Sequence, residues 1–447
     1  MEKQNRPYNL IVAGGGISGT SAAVAASRRG LKVLLVEQSS MLGGMGTGGL
    51  VTMMMTSRSW FYGIGRKLID KMIAQGNARL IPNPAIKGFN YYPFDAEAMK
   101  RELDQLVLES GAELLLCTKI IGTEKKDGKI TALHMAGVEG NRYVCADYYI
   151  DASGDGKLAA LVGETVSYGD ENFQTQAPTM MAYYAGIDFD KYERFLETFE
   201  DGKRAAKINM IHTLLPQAVK EGVVSQLDLH HPGVFRISEQ SDVGMMNVGH
   251  VYGADCSTSR GMTEAVVRGR RMAFEYNNFY RKYIPGFENA YMTNTGSILA
   301  LRETGRVTGL YETTFEDKSN YVKFPDAIMR FDGGAVSDVH AASANKEAYQ
   351  AYVDLYAKRE QVRTDDYATL PYRSIITPGT SNLLLAGRCV SADRKVLGQI
   401  RLMSYCFMMG EAAGVAASIA QSAQQAVWDI SPTKLQTELK KNDIETI

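Results

Sequence analysis

A run of glycines between a strand and a helix is the clearest chemical signal in this chain. The segment Gly14-Gly15-Gly16-Ile17-Ser18-Gly19 follows the apolar residues 10–13 and precedes a helix of small residues. In a G-x-G-x-x-G motif the first glycine permits a tight turn, the second lets a pyrophosphate approach the backbone, and the third lets the helix pack closely on the strand. The N–H groups at the helix N-terminus then face the phosphates. This context predicts a dinucleotide site.

An acidic residue and a second glycine turn extend the motif. Glu37 ends the next predicted strand, 32–36, and lies 23 residues after Gly14, close to the interval at which an acid binds ribose hydroxyls. The segment from Glu37 to Gly44 resembles the extended motif of flavoproteins in the glutathione reductase superfamily, where a glycine pair lets the backbone run along FAD. This resemblance favours FAD over NAD. The alternative for 43–49 is an ordinary glycine-rich surface loop.

Candidate acid–base groups lie in the middle of the chain. A flavin supplies the redox chemistry, but the protein must orient the substrate and supply a proton donor or acceptor. The sequence predicts His250 and Arg302 as the catalytic residues, although a lone histidine is more often structural. Arg302 either forms a structural ion pair with Glu303 or clamps a substrate carboxylate. The other candidates are His340, which could equally contact the N-terminus of a predicted helix at 342–358, Tyr252 and Arg306.

Composition sets the class of protein. The 447 residues are 45% apolar and 22% charged, as expected for two or three globular domains with sizeable cores. A net charge of −1 predicts no broad attraction to nucleic acid or to an anionic membrane. No apolar signal region precedes the first strand, and no window reaches the roughly 20 apolar residues of a membrane helix. We therefore expect a soluble cytoplasmic protein.

The five cysteines are widely scattered. They show no C-x-x-C or other metal-ligand spacing, so we expect no metal site, no early redox disulfide and no cysteine-held iron–sulfur cluster. The prediction is that all five are buried free thiols. They are Cys117, Cys145, Cys256, Cys389 and Cys406.

The remaining pattern predicts an α/β fold, with a Rossmann-type FAD-binding domain and an inserted α+β substrate or cap domain. A helix at 96–110, capped by Asp95, leads to a three-stranded meander at 118–124, 129–136 and 142–146. Helices at 192–200, 262–283 and 342–358 and strands at 234–238 and 243–248 belong to the cap. A strand at 381–388 that ends in a glycine turn and a helix through Ala420 return to the first domain. The predicted segments are 1–165 and 370–447 for the FAD-binding domain and 166–369 for the cap.

Four segments carry a resemblance that spans nearly the whole chain. The chain resembles the FAD-dependent oxidoreductases of the glutathione reductase superfamily, near the fumarate reductase/succinate dehydrogenase flavoprotein branch. Such families often have a second arginine where this chain has Gly305, which makes the role of the neighbouring arginines uncertain. The four segments are 14–44, the glycine turn 150–156, the run 301–311 containing Arg302-Glu303-x-x-Arg306, and 382–420.

The resemblance implies which residues meet non-covalently bound FAD. Residues of the first glycine motif would contact the pyrophosphate, Glu37 the ribose, and the meander the adenine. Arg401 and Leu402 would lie at the flavin pyrimidine edge, near the N-terminus of the last helix. The implied cofactor-binding set is Gly14, Gly16, Ile17, Ser18, Gly19, Glu37, Gly44, Met45, Ile121, Ser153, Gly154, Gly387, Arg388, Arg401 and Leu402.

The expected activity is hydride transfer between FAD and a small organic substrate, anionic or polar. One alternative is a soluble fumarate-reductase-like reductase of activated C=C bonds, and another is a non-enzymatic flavin-binding redox sensor or scaffold. Outside the two glycine turns at 14–19 and 43–49 no G-x-G-x-x-G occurs, so no separate NAD(P)H domain is expected, and electrons are expected to pass through the substrate, oxygen or a separate carrier. Substrate identity, direction of electron flow and oligomeric state stay open.

Overall fold

The structure is a computed structural model. It describes residues 8–57, 60–82, 88–199, 203–230, 233–238, 241–332, 338–340, 344, 347, 350 and 366–446. The strands are β1 (Tyr8–Ala13), β2 (Val33–Val36), β3 (Met53–Ser57), β4 (Ile81–Pro82), β5 (Phe89–Pro93), β6 (Glu113–Leu115), β7 (Lys119–Lys126), β8 (Lys129–Gly137), β9 (Gly140–Val144), β10 (Ala146–Asp151), β11 (Val166–Tyr168), β12 (Ala182–Ala185), β13 (Val234–Arg236), β14 (Gly244–Met246), β15 (Tyr291–Thr295), β16 (Gly305–Val307), β17 (Ala327–Asp332), β18 (Tyr367–Pro371) and β19 (Leu383–Leu385).

The α-helices surround these sheets. They are α1 (Ile17–Ser27), α2 (Gly63–Ala74), α3 (Ala96–Ser110), α4 (Lys157–Leu161), α5 (Phe189–Leu196), α6 (Lys203–Lys220), α7 (Ser259–Tyr283), α8 (Phe315–Ser319), α9 (Arg394–Ile400), α10 (Met403–Ala423) and α11 (Pro432–Lys440). Short 3₁₀ turns occur at Gly44–Gly46, Glu197–Phe199, Tyr372–Ile375 and Val427–Asp429. The predicted helix at 342–358 lies outside the described residues, apart from three isolated positions.

A five-stranded parallel sheet forms the centre of the fold, in the order β19-β10-β1-β2-β6. β1, β2 and β10 are apolar and buried almost throughout, as expected for a sheet covered on both faces. The first and last parts of the chain therefore share one sheet, and the predicted α/β fold is confirmed. Because the carboxyl ends of parallel strands meet at one edge, the turns after β1, β2 and β10 converge there.

Helix α10 crosses this domain in direct contact with α1. A Cβ added at Gly410 would lie 2.0 Å from the Ser18 carbonyl oxygen, and one added at Gly414 would lie 2.3 Å from that of Ala22. The Ser21 hydroxyl also donates to the Phe407 carbonyl at 2.7 Å. The small residues of α10 thus fix its distance from α1. This helix begins at Met403, two residues after the predicted start.

The predicted meander forms the antiparallel sheet β7-β8-β9. A second antiparallel sheet, β13-β14-β12-β15, packs with α5, α6 and α7 around a separate hydrophobic core. That core contains fully buried aromatic residues, among them Tyr184, Tyr276 and Phe279. The predicted cap helices at 192–200 and 262–283 overlap α5 and α7, and the predicted strands overlap β13 and β14. α6, β12 and β15 were not predicted. The domain boundaries stay predictions.

Two further sequence predictions can be compared with the structure. Cys256, Cys389 and Cys406 are buried free thiols, but Cys117 is exposed and Cys145 is half-buried, so the prediction of burial was wrong for these two. In the described part of the chain, no single helix is long and apolar enough to cross a membrane. α9 and α10 together meet the criterion of length and composition, with a bend of 91° between them.

Candidate active site

A cavity of about 960 Å³ opens at the carboxyl edge of the parallel sheet. The glycine motif forms one end of it. Gly14 has a φ of +106°, and a Cβ at Gly19 would lie 1.8 Å from the Gly14 carbonyl oxygen, so both positions require glycine. A Cβ at Gly16 would meet no protein atom within 4 Å, although this residue lines the cavity. Gly16 therefore keeps open a space beside the backbone, while Gly19 sets the packing of helix on strand.

The N-terminus of α1 faces this space. Its N-cap is Gly16, no side chain caps it, and its first turn contains no acidic residue. The first N–H groups of such a helix have no intrahelical acceptor and carry the positive end of the helix dipole. An anion in the cavity would satisfy both. The second glycine turn lies alongside, with the Gly43 N–H donating to the Gly15 carbonyl at 2.8 Å.

Glu37 stands at the end of β2, where the sequence predicts a ribose ligand. One carboxylate oxygen accepts from the Gly15 N–H and the other from the Ser39 N–H, each at 2.7 Å. The two oxygens of a carboxylate offer about four acceptor positions, so two stay available on the cavity side. These backbone bonds fix the orientation of the carboxylate toward the adjacent cavity.

The other end of the cavity is formed by the start of α10. Leu402, which is the N-cap of this helix, and Met403 both line the wall, and no side chain caps the helix. Beside them, the Arg401 guanidinium donates to the Asp338 carbonyl oxygen at 2.5 Å and lies 3.4 Å from its carboxylate. Glu411, the acid within the same helix, accepts from the Ile64 N–H instead. In the part of the chain that the structure describes, the buried Nε of Arg401 has no hydrogen-bond acceptor.

Arg388 ties the cap to the turn after β10. Its Nε donates to the Gly154 carbonyl and one Nη to the Leu301 carbonyl, both at 2.9 Å. The other Nη pairs with Asp155 at 2.5 Å. Leu301 lies in the predicted cap segment and the other two residues in the predicted FAD-binding segment, so this guanidinium joins the two segments at the cavity wall.

The structure brings most of the predicted cofactor residues to one cavity. Two of them, Gly19 and Gly387, lie behind the wall; a Cβ at Gly387 would lie 2.4 Å from the Ser18 hydroxyl oxygen. Both act on packing rather than on the cavity surface. The predicted residues that line it are Gly14, Gly16, Ile17, Ser18, Glu37, Gly44, Met45, Ile121, Ser153, Gly154, Arg388, Arg401 and Leu402.

Arg302 also lines the cavity, but its partners differ from the predicted one. Its guanidinium donates to the Ala177 carbonyl and the Thr179 hydroxyl at 2.8 Å and to the Asn247 amide oxygen at 3.1 Å. Glu303 pairs instead with Arg306 and Arg394. The alternative of an Arg302–Glu303 ion pair was therefore wrong.

The surroundings of Arg302 also affect its charge. Burial, followed by the nearby Arg401, lowers the pKa of Arg302 to about 10. At Gly305, where the resemblance led us to expect another arginine, a Cβ would lie 2.2 Å from the Asp155 carbonyl oxygen. This backbone has no room for any side chain at that position.

His250 lies behind the cavity wall rather than on it. It is completely buried, and its Nδ1 is 2.9 Å from a carboxylate oxygen of Asp228. Its Nε2 is 2.7 Å from Nδ1 of His340. His340 does line the cavity, and its Nε2 is 3.3 Å from Asp338. Burial, then Arg302, lowers the pKa of His340 well below its usual value, despite the neighbouring Asp338.

Asp228 is the residue that sequence reasoning missed. It follows α6 in an irregular segment, and its buried carboxylate accepts from the backbone N–H groups of Gly249 and His250 and from the Tyr252 hydroxyl at 3.0, 2.9 and 3.0 Å. Burial and Asp228 raise the pKa of Tyr252, so this candidate serves as a hydrogen-bond donor to Asp228. The Asp228-Leu-His230 triplet was the one available signal in the sequence.

Comparison with known proteins now decides the family. The model of the FAD-dependent oxidoreductase family matches residues 9–439. This chain belongs to that family. It is accordingly a flavoenzyme with FAD as its cofactor. The comparison with curated proteins gives no match.

Solved structures with low similarity to this FAD-dependent oxidoreductase include the following three. A geranylgeranyl bacteriochlorophyll reductase-like protein from Thermoplasma acidophilum is 13% identical, with a TM-score of 0.45 over 98% of this chain and 84% of its own. The flavin-dependent brominase Bmp2 is 13% identical, with a TM-score of 0.47 over 97% and 83%. The p-nitrophenol 4-monooxygenase PnpA from Pseudomonas putida DLL-E4 is 11% identical, with a TM-score of 0.45 over 96% and 83%. Similarities this low add nothing about substrate.

The residues of the cavity fit FAD. Two uncapped helix N-termini, those of α1 and α10, border one cavity, and Gly16 leaves room for a group beside the backbone. The free acceptor positions of Glu37 suit ribose hydroxyls, and the unpartnered buried Nε of Arg401 suits a carbonyl or anionic ring atom. We therefore expect the phosphates near α1 and the isoalloxazine ring near α10. FAD bound there would accept or donate a hydride.

Proposed function

We propose that this flavoenzyme transfers a hydride between non-covalently bound FAD and a small anionic organic substrate held against Arg302. The coarser assignment to FAD-dependent oxidoreductases comes from the family match. The specific reaction and the charge of the substrate are proposals that depend on the chemistry of the cap side of the cavity. That side also includes Asn247, Asp338, His340 and Arg401.

The observation that supports an anionic substrate is the state of Arg302. Its three hydrogen-bond acceptors are a carbonyl, a hydroxyl and an amide, and none is charged. Within the described ranges it forms no ion pair, although it is only 7% exposed. A buried cation with neutral partners is costly unless an anion joins it. A carboxylate or a comparable anionic group on the substrate would supply that charge at the cavity wall.

The start of α10 supports a redox role for the same cavity. A helix N-terminus and a nearby arginine stabilise negative charge by about 1–2 kcal/mol in partly buried geometries. The N-terminus of α10 and Arg401 both line the cavity in such a partly buried geometry. They would favour the reduced, more negative form of the flavin. These two groups would change the reduction potential of the flavin, whereas substrate selection would depend on the cap residues.

An anaerobic screen tests the proposal directly. Purified holoprotein would be mixed with a metabolite library, and loss of the oxidised flavin absorption band would be recorded. Each active acid would then be compared with its neutral amide, which has nearly the same shape. We expect the acid to reduce the flavin and the amide to fail or to show a much higher KM. Equal activity of the two would contradict the anionic substrate.

A second reaction deserves the same screen, because burial lowers the pKa of Arg302 to about 10. An arginine with such a pKa is a better proton donor than an ordinary one, as reduction of an activated C=C bond requires. This second proposal corresponds to a fumarate-reductase-like enzyme. Chemically reduced enzyme would be mixed anaerobically with enoates. Reoxidation of the flavin by these compounds supports the C=C reductase, and its absence together with bleaching by saturated substrates supports the first proposal.

We propose oxygen or a separate electron carrier as the second electron partner. The G-x-G-x-x-G spacing occurs at Gly14 to Gly19 and again at Gly44 to Gly49, and both glycine turns border the same cavity. A second dinucleotide-binding domain is not predicted from the sequence. Adding air or an artificial acceptor to substrate-reduced enzyme separates these two partners by the rate of flavin reoxidation.

A further inference from the structure

Two histidines from distant parts of the cap form a continuous line of hydrogen bonds between two carboxylates. The order is Asp228, His250, His340, Asp338, with separations of 2.9, 2.7 and 3.3 Å. The imidazole rings of His250 and His340 are 4.8 Å apart between centroids and inclined by 27°. One end of this chain, at Asp338 and His340, lines the FAD cavity, and the other end is buried.

Two neutral histidines carry too few protons to complete all three hydrogen bonds of this line. Its three hydrogen bonds need three N–H groups on four ring nitrogens, because a carboxylate can only accept. Two neutral imidazoles carry two N–H groups. The complete chain therefore needs one extra proton, and without it one of the three contacts brings two lone pairs together. The pair thus has two states that differ by one proton, and both keep Asp228 bonded to His250.

The surrounding groups decide where the extra proton resides. Burial and the nearby Arg302 lower the pKa of His340. The Asp228 carboxylate lies 2.9 Å from Nδ1 of His250, so a positive charge passed along the line is best compensated at that end. Asp228 is held in place by backbone N–H groups and by Tyr252. The titratable and charged groups that face the two rings are Asp228, His230, Tyr252, Arg302, Asp338 and, through Asp338, Arg401.

We propose that His340 is the proton acceptor and donor at the substrate, and that His250 and Asp228 are positioning residues that relay the proton away from the cavity. This inference rests on the proposed hydride transfer, and it places His340 where the sequence favoured His250. In the oxidation direction, a hydroxyl or amine proton of the substrate moves to Nε2 of His340. The Nδ1 proton of His340 moves to Nε2 of His250, which becomes an imidazolium beside Asp228.

The proton balance closes without any further reactant. The substrate loses one proton to the line of histidines and one hydride to the oxidised cofactor, and its C–O or C–N single bond becomes a double bond. In the reduction direction the same proton returns through His340. After the relay, the positive charge lies on His250, away from the cavity, and His340 is neutral. The substrate anion stays bound to Arg302.

The first test needs no substrate. The protein contains six histidines, so nitrogen-15 labelling of their rings in the FAD-bound protein gives few signals. The change His340→Asn keeps a short amide near the Nδ1 position but cannot pass on a proton. We expect it to shift both ring nitrogens of His250 and to alter their titration. His134→Asn, which replaces a histidine on the meander paired with Glu124, is the matched control and should leave them unchanged.

The second test uses an acid found in the anaerobic screen. His340→Asn should lower the rate of flavin reduction about 10²–10⁴-fold, the usual contribution of a general base. His250→Asn should lower it less and move the acidic limb of the pH profile, because His340 then lacks its proton acceptor. Tyr252→Phe, a milder change that removes one donor to Asp228, should move the same limb without a large loss of rate.

The outcomes separate the relay from the proposed function. If His250 signals ignore the change at His340, or if His340→Asn reduces the flavin at the normal rate, the relay is wrong even when the enzyme is active. If no compound bleaches the flavin, the proposed function fails, whereas coupled titration of the two histidines would still establish the shared proton. Coupled titration together with slow reduction in His340→Asn supports both.

Discussion

Glu411 makes the stability of this fold depend on pH. Its carboxylate is buried in α10 and accepts from the Ile64 N–H at 2.8 Å, at the start of α2. Gly63 has a φ of +69°, and a Cβ there would lie 2.2 Å from the same oxygen. Burial raises the pKa of Glu411 to about 7, against the favourable bond from Ile64. The charged form is therefore disfavoured in the folded protein.

The size of the effect follows from the two pKa values. Below pH 4.5 the carboxyl is protonated in the folded and unfolded chains, so its burial carries no charge penalty. Between pH 4.5 and about 7 the unfolded chain releases this proton first, and the free energy of unfolding falls as pH rises. At about 1.4 kcal/mol per pH unit, the loss reaches about 3 kcal/mol above pH 7.

The change Glu411→Gln tests this reasoning. Glutamine keeps an acceptor for Ile64 and cannot ionise, so we expect the variant to be more stable than wild type by about 3 kcal/mol at pH 8.5 and by under about 1 kcal/mol at pH 5. Urea unfolding at fixed FAD concentration measures both differences. Glu264→Gln, on the exposed face of α7, is the control for removing one negative charge. An advantage that is absent at pH 8.5, or equal at both pH values, would refute the assignment.

Two substitutions and one labelling experiment test the cofactor site and the thiols. Gly16→Ala should leave the fold intact but weaken FAD binding by more than about tenfold, because the new methyl group enters the space beside the phosphates; titration of apoprotein with FAD measures this. Arg401→Gln should make the flavin potential more negative by about 20–40 mV, since a cation near the reduced ring is lost, as measured by dye equilibration. A thiol reagent at neutral pH should label Cys117 first, whereas burial raises the pKa of Cys256 to about 11 and that of Cys406 to about 12, so these two should react only after unfolding.

Local sequence predicts the FAD-binding end of this structure well. Strand, glycine turn and helix are contiguous in the chain, so the geometry that holds a phosphate is encoded within about 25 residues. Glu37 and the second glycine turn follow directly, and the backbone bond from Gly43 to Gly15 joins the two turns. The small residues of α10 likewise indicate a close contact with a neighbouring helix. Only glycine leaves room for the carbonyl oxygens of α1 that lie against this helix.

The cap side could not be predicted in the same way. His250 and His340 are 90 residues apart, and Asp228 lies on a third segment, so no local spacing indicates that they form one line. An ion pair between Arg302 and Glu303 was a reasonable prediction from their adjacency in the sequence alone. It failed because Arg302 turns toward the loops at Ala177, Thr179 and Asn247 while Glu303 turns toward other arginines. Tertiary packing decides such partners.

Arg302 can be separated from a purely structural role by the change Arg302→Lys. A lysine keeps the positive charge but has no planar fork, so it cannot reach the Ala177 carbonyl and the Asn247 amide together. If Arg302 only braces the cap, the variant should unfold at lower urea concentration and keep its KM. If Arg302 also binds the substrate anion, KM for the acid should rise about tenfold or more while KM for the neutral amide stays the same. Because only the acid senses the guanidinium, a parallel rise in both KM values would show that the change acts through the fold.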